Sequence, residues 1–506
     1  MSCSVAVSVT LSGVRSSNFL HRVSLLNGLG FMEKDQILTY CRAHRTFIVA
    51  VLCGLVILEV GVWFWYLPSR LADLSDLRQG AKLRVVTSYE SSLEEPVARG
   101  LYELQDRLSS GLAASLGTRV EQIPVSNRAH LLQQMRTGQA HLGLIDLTIN
   151  PQLSRSLRHS MVFATSQLQV VYQRGSQRPR TAEDLVGRNI VVSGDSAASF
   201  YLLQLQGRFP DLRWRETKKS DNKQLLLDVV NGQLQTTIVD RNLLDEVRLL
   251  YPLLAVGYEI PQPLQWAWVM PKMASDSFVE VVDRYLRGAV ASGLLDALQD
   301  RLLGAPVRFD FVDTRSFHRA VVARLPALLS DFQLAGAQTG VDWKLLAAQA
   351  YQESHWDPRA VSSTGARGLM QLTGSAANQF AVADPFDPWQ AVLGGARYLR
   401  QLIARLPAKM SLVDRRWAAL AAYNYGMKNI LEARSRATTK GRNPNYWVVI
   451  RDELLKPQIS VPEPVGPQRI DRARQAVRYV RRIRGYYRIL SSPMMVKYTR
   501  NAPISN

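Results

Sequence analysis

The chain has 506 residues, 47% of them hydrophobic and 21% charged, and carries a formal net charge of +20. It is too apolar for a disordered protein and long enough for about three compact units. The positive balance calls for an anionic partner; no nucleic-acid-binding motif accompanies it, so membrane headgroups and an anionic cell wall suit the chain better than DNA or RNA.

Residues 1–46 read as an N-terminal extension, within which Met32, followed by Lys34, Arg42 and Arg45, is the more natural translation start. The stretch 47–67 is apolar apart from Glu59 and follows the basic residues Arg42, His44 and Arg45. Its length fits a membrane span or a long export signal, with the basic flank left in the cytoplasm. No small-x-small cleavage site follows, because Trp63-Phe64-Trp65-Tyr66-Leu67 is bulky, and Leu52 does not suit lipidation of Cys53. A cleaved signal and a retained anchor therefore both stay open. Cys3, Cys41 and Cys53 are the only cysteines, which leaves the rest of the chain no disulfide framework or thiolate metal site. The seven histidines are scattered without metal-ligand spacing, so neither a metal nor another cofactor is expected.

An internal repeat follows. Leu131 to Gln139 leads to Leu144-Ile145-Asp146, and Leu225 to Gln233 leads to Ile238-Val239-Asp240. Each copy predicts a helix, a glycine cap at Gly138 or Gly232, and a buried strand ending in Asp. Leu83-Arg84-Val85-Val86-Thr87 supplies an opening strand, and the stretch from Asp184 to Val192 opens a second lobe, so residues 78–304 form an α/β clamshell. Strand ends and helix N-termini converge on the cleft of such a domain, which nominates Ser88, Asp146, Thr148, Ser193, Ser196 and Asp240 as ligand-lining positions. Each of these also suits a cap or a turn.

The residues richest in chemistry lie in 305–490. Asp342 can cap a helix that begins Trp343-Lys344-Leu345, and Leu346 and Ala350, seven and three residues before Glu353, place that carboxyl on the apolar face. A partly desolvated carboxyl keeps its proton to higher pH and can act as a general acid. Gly365 and Gly368 bracket Ala366-Arg367 ahead of Leu369-Met370-Gln371, and glycine there permits close backbone approach, with Gln371 facing a ligand. Ala422-Tyr423-Asn424-Tyr425-Gly426 ends a strongly helical run, with Gly426 expected in a left-handed conformation and Asn424 in the last turn. His355 reads as a surface residue. Arg472, Arg474, Arg478, Arg481, Arg482, Arg484 and Arg488 fall on a further helix and are expected on a solvated face. Residues 491–506 form a tail.

In order and spacing, the segments around Glu353, Gly368 and Asn424 resemble the catalytic domain of the soluble-lytic-transglycosylase family, and Tyr479-Val480 with Ile483 is similar to its fourth motif. The approach 470–475 departs from that motif. Val312 to Phe317, Trp343 to Ala348 and the preceding clamshell are similar to the transglycosylase F subfamily in particular. The resemblance implies a two-lobed, periplasmic-binding-protein-like α/β domain followed by a mainly α, lysozyme-like catalytic domain. It implies that Glu353 cleaves peptidoglycan between N-acetylmuramic acid and N-acetylglucosamine by an exolytic route and leaves 1,6-anhydro ends. Ser354, Gln371, Tyr423, Asn424 and Tyr479 would then orient sugar and carboxyl, and the clamshell would sense a muropeptide or stem peptide. It further implies a membrane-associated protein on the periplasmic side of the envelope, at the outer membrane.

Two alternatives accompany this reading. A lysozyme-type muramidase would recruit water through a second carboxylate, for which Asp357, Asp384 and Asp387 are the nearby candidates. A non-catalytic wall-binding solute sensor would keep glycan affinity without turnover.

Overall fold

The computed structural model describes residues 73–88, 96–125, 128–147, 155–194, 196–217, 222–302, 311–456 and 467–492. The apolar run 47–67, most of the C-terminal tail and Thr148 lie outside them. Among the described residues no helix is long and apolar enough to cross a membrane.

Strand β1 (Leu83–Ser88) buries the adjacent residues Val85 and Val86 on opposite faces, as expected of a parallel strand covered on both sides. It pairs in parallel with β2 (Val120–Val125) and β3 (Leu142–Leu147). The remaining strands are β4 (Leu157–His159), β5 (Ala164–Gln173), β6 (Val191–Ser193), β7 (Arg215–Thr217), β8 (Thr236–Asp240) and β9 (Leu254–Pro271). The main sheet runs β2-β1-β3-β9-β5-β8, with β4 beside β9, while β6 and β7 pair in parallel as a small second sheet. At 18 residues, β9 is long enough to serve both lobes. Its pairing with β5 is irregular between Gln167 and Val171, where the first lobe gives way to the second.

Both repeats fold as their pattern predicts. The helix Arg128–Arg136 ends at Gly138 with φ 68°, and the helix Asn222–Val230 ends at Gly232 with φ 74°. The same closing bonds recur, Gln139 N to Gln134 O at 3.0 Å and Gln233 N to Asp228 O at 2.9 Å, before β3 and β8 begin. The left-handed residue costs glycine little, which is why the chain turns there. A core around Leu83, Leu104, Trp268 and Val282 continues into Leu226 of the second repeat and Leu244 of the helix Arg241–Leu250 that follows it, and a separate cluster around Val170, Ile190, Leu202 and Ile260 fills the second lobe.

Beyond the clamshell the described chain is helical. The helices Leu325–Thr339, Trp343–Ser354, Pro388–Ala404, Leu412–Tyr425 and Pro467–Ser491 share one core that includes Phe332, Leu346, Leu399, Leu420, Val480 and Ile483. Alanines on the facing surfaces, among them Ala347, Ala350, Ala418 and Ala421, are fully buried and let these helices approach closely. The core also takes in Leu249 from the clamshell helix Arg241–Leu250, whose carbonyl oxygen meets His318 Nε2 at 2.9 Å.

The arginine-rich helix departs from the sequence expectation. Arg474, Arg478, Arg481 and Arg482 are exposed, but Arg484 is 6% exposed and donates to both carboxylate oxygens of Asp300 at 2.8 and 2.9 Å. Asp300 ends the clamshell side of the junction, on the helix Leu294–Leu302, so a guanidinium read as solvated is a buried tie between the two domains. The Trp417 ring lies 4.9 Å from the same guanidinium. One residue along, Arg301 reaches Asp414 at 2.5 Å, and Asp414 also accepts from Ser411 Oγ and Trp447 N.

Removing one member of a buried ion pair strands the other. Asp300→Ala is therefore expected to lower unfolding stability by about 3 to 5 kcal/mol in chemical denaturation. A loss within about 0.5 kcal/mol, the usual range for surface substitutions, would mean that Arg484 is not held as described.

Candidate active site

The helix Trp343–Ser354 begins at Asp342, whose carboxylate accepts from Lys344 N at 3.0 Å, the capping role expected from the sequence. It ends abruptly, with His355 at φ 54° and Trp356 at φ 59°. Two consecutive left-handed residues other than glycine are unusual, and specific contacts hold them. Trp356 Nε1 donates to Ala347 O at 2.9 Å from a buried position, and Arg324 Nη1 donates to His355 O at 2.8 Å. His355 itself is exposed, as expected.

This turn leaves Glu353 partly exposed while protein atoms crowd its carboxyl. Burial pushes its pKa from 4.5 up to about 7, opposed in part by the hydroxyl of Tyr479, which donates to Glu353 Oε1 at 2.5 Å. Tyr479 is 5% exposed on the helix Pro467–Ser491. Its own pKa is raised well above the ordinary phenol value, first by burial and then by the Glu353 carboxylate, so it stays a donor. Tyr423 is raised in the same way, by burial and then by Glu353, and donates to Met370 O at 2.9 Å. The structure thus brings Glu353, Tyr423 and Tyr479 together from three helices and the Met370 loop.

Of the other expected site residues, Ser354 and Gln371 are turned to backbone carbonyls and Asn424 is exposed in the last turn of its helix, as expected. Ser354 was expected at the sugar, but it is 7% exposed and its hydroxyl is directed at Ala350 O and Leu369 O, at 3.1 and 3.0 Å. It fastens the end of the carboxylate-bearing helix to the loop, because a hydroxyl buried there must find acceptors inside the protein. Gln371, at φ 48°, turns its Nε2 to Ala360 O and Gly368 O at 3.1 and 3.0 Å and so braces the same loop. Asn424 is exposed in the last turn of Leu412–Tyr425. Gly368 has φ 72°, and a Cβ there would overlap the Pro385 carbonyl oxygen, so the close approach that glycine permits is to the protein's own backbone. Gly426 has φ 89° but ψ 140°, which is not the left-handed helical cap expected; the extended ψ sends the chain straight into the next helix, Met427–Thr439.

The carboxylates that a water-activating mechanism would need are engaged in local turns. Asp357 accepts from Arg359 N, Asp384 from Phe386 N, and Asp387 caps the helix Pro388–Ala404 through Gln390 N. No carboxylate contributes to the shift at Glu353. Sequence reasoning missed Gln349, fully buried one turn before Glu353, whose amide faces the Tyr479 hydroxyl and opposes the rise of its pKa. The signal was a lone amide inside the apolar run Leu345 to Ala350.

In the clamshell, Ser88 closes β1 and Asp146 lies in β3. Ser193, buried, ends β6; Ser196 caps Ala197–Gln206 by accepting from Ser199 N, and Asp240 caps Arg241–Leu250 by accepting from Asn242 N. Among the described residues no cluster of three His, Cys, Asp or Glu could hold a metal.

Comparison with known proteins agrees with this geometry. The family described as Transglycosylase SLT domain matches residues 330–445. Membrane-bound lytic murein transglycosylase F 1 of Alkalilimnicola ehrlichii is 33% identical over 88% of this chain and 92% of its own. Membrane-bound lytic murein transglycosylase F of Alteromonas mediterranea is 33% identical over 86% of this chain and 94% of its own. A mutant of ArgBP from T. maritima overlaps 46% of this chain and 99% of its own, with a TM-score of 0.39 and 16% identity. A helical domain that matches the transglycosylase model, in a chain one third identical to lytic murein transglycosylases over most of its length, makes this a peptidoglycan lytic transglycosylase, a lyase of the cell envelope. The chain belongs to the membrane-bound lytic murein transglycosylase F family.

The hydrogen bond from Tyr479 lowers the Glu353 pKa against the effect of burial. Tyr479→Phe is therefore expected to raise it above about 7 and to move the alkaline limb of the kcat/KM profile for glycan cleavage to higher pH. A shift toward acid, or none, would show that the phenol does not act on this carboxyl.

Proposed function

We propose that Glu353 is the single acid and base of the transglycosylase reaction. A carboxyl with a pKa of about 7 is substantially protonated near neutral pH and can give its proton to the glycosidic oxygen between N-acetylmuramic acid and N-acetylglucosamine. The C–O bond to the leaving sugar breaks as that oxygen is protonated. The resulting carboxylate then takes the proton of the muramoyl 6-hydroxyl, whose oxygen bonds to the anomeric carbon and closes the 1,6-anhydro ring. Ordinary glycosidases place a second carboxylate about 5 to 10 Å from the first. The turn and cap duties of Asp357, Asp384 and Asp387 favour a reaction in which the substrate's own N-acetyl group and hydroxyl replace it. Tyr479 orients the Glu353 carboxyl, Tyr423 holds the Met370 loop, and exposed Asn424 and the braced Gln371 face the glycan.

The single observation that carries this reading is the buried, Tyr479-bound carboxyl of Glu353. Glu353→Gln is expected to cut the formation of anhydro-muramoyl ends on purified peptidoglycan by about a thousandfold or more, measured by mass analysis. Near-normal turnover would refute the assignment, and reducing ends in place of anhydro ends would point to a muramidase.

The same substitution should leave a signature in stability. The folded pKa of about 7 lies above the ordinary value of 4.5, so the folded state holds a proton that the unfolded state gives up, and stability falls as pH rises through that window. The deficit is complete above about pH 7, on the order of 3 kcal/mol, and absent below about 4.5. Thermal unfolding of Glu353→Gln should match the parent in acid and exceed it at pH 8. Parallel curves at all pH values would mean that the carboxyl is not desolvated.

The clamshell reads as a regulatory domain for a muropeptide or stem peptide, with Ser88, Asp146, Thr148, Ser193, Ser196 and Asp240 as candidate ligand positions, and the apolar run 47–67 directs the protein to the periplasmic side of the outer membrane. The pairs Arg484–Asp300 and Arg301–Asp414 support such coupling, because they join the clamshell's last helix to the helices that carry the site. Adding a muropeptide to the portion 71–506 should then change the cleavage rate by roughly 5- to 150-fold, the span of typical coupling energies. An unchanged rate would leave the clamshell a tether.

A further inference from the structure

A cavity of about 500 Å³ lies across the carboxylate-bearing helix from Glu353. Tyr351 and His355, two residues to either side of Glu353, line it from this helix. Asp313 and Arg319 enter from the helix Phe311–Ala323, Arg324 from the residue just after it, and Arg482 from the helix Pro467–Ser491. Three exposed guanidiniums thus line one space, two from the end of one helix and one from another, and meet a single carboxylate; Arg324 also donates to His355 O. Arg482 Nη2 reaches Asp313 at 3.3 Å, while Arg319 is exposed and, among the described residues, makes a single 3.4 Å contact with Ser316 Oγ. The volume lies in the range of small-ligand sites, roughly 300 to 1,000 Å³.

Converging like charges repel one another unless an anion joins them, and the guanidinium fork matches the two oxygens of a carboxylate. The substrate of this family brings such anions to this helix, because the peptide stems on peptidoglycan end in free carboxylates. A helix with its side chains is about 10 to 12 Å across, a span that four extended residues, up to about 14 Å, can match. A stem on a muramoyl residue held at Glu353 can therefore pass round the helix end, where the chain turns sharply at His355 and Trp356.

We propose that this cavity is a carboxylate-binding site for the peptide stem of the strand being cleaved, so that the enzyme selects stem-bearing over bare glycan. The proposal rests on the reading of Glu353 as the catalytic acid. The test uses the full chain on two substrates, purified strands with their stems and the same strands stripped by an amidase. The unaltered protein should form anhydro ends about tenfold faster on stem-bearing strands, a modest effect for charge-assisted hydrogen bonds. Arg319→Glu should bring that ratio close to one and leave the rate on bare strands unchanged. A ratio of one in the unaltered protein overturns the proposal. So does an undiminished ratio in both Arg319→Glu and Arg319→Ala, or an equal fall on both substrates. A third arm uses vesicles containing anionic phospholipid: binding that Arg319→Glu abolishes while the stem ratio stays intact would assign the cavity to a lipid phosphate instead. Absence of anhydro ends on both substrates would overturn the catalytic reading itself, an outcome distinct from each of these.

Discussion

Desolvation of one carboxyl sets the conditions that the rest of the catalytic domain has to meet. A glutamate in water would have lost its proton well below neutrality, and the crowding of Glu353 by protein atoms is what brings its pKa to about 7. The helix Trp343–Ser354 supplies the apolar face, with Leu346, Ala347 and Ala350 all fully buried, and then stops within two residues so that the carboxyl keeps an open side. Ser354 and Tyr423 fasten the Leu369-Met370 loop against it through backbone carbonyls, and Tyr479 donates a hydrogen bond to the carboxyl. Each of these contacts limits water at the carboxyl or fixes its direction, so loosening the packing would return the group toward an ordinary acid.

The helix Pro467–Ser491 has two duties. Through Tyr479 it holds the Glu353 carboxyl, and five residues later, through Arg484, it holds the clamshell at Asp300. The second contact is buried, and its guanidinium is shared between a carboxylate, a backbone carbonyl and the face of Trp417. A change of clamshell shape that disturbed Asp300 would act on the element that carries Tyr479, which gives the proposed regulation a physical route without requiring the ligand to approach the glycan.

Local patterns were legible in the sequence, and pairings between distant segments were not. The helix–glycine–strand repeat and the Asp342 cap follow from residues within a few positions of one another, and all of them fold as read. The apolar spacing before Glu353 correctly forecast a desolvated carboxyl. Gly368 was legible as a residue that needs a special backbone path, which its φ of 72° shows, but the Pro385 carbonyl oxygen that excludes a side chain there lies 17 residues away. Arg484 looked like one more solvated arginine because Asp300 is 184 residues distant. Ser354 and Gln371 belong to the motif, and only the backbone path shows that their polar groups are spent on the loop. Gln349 was hidden by its neighbours, an amide in an alanine- and leucine-rich run whose significance depends on Tyr479, far along the chain.

The central claim is that Glu353 is a proton donor because it is buried beside Tyr479, and direct titration of that carboxyl tests it most simply. Carbon-13 NMR of the side-chain carboxyl carbon, assigned by its loss in the Gln variant, should give a midpoint near 7. A midpoint near the ordinary 4.5 would show a solvated carboxylate at neutral pH and would contradict the account.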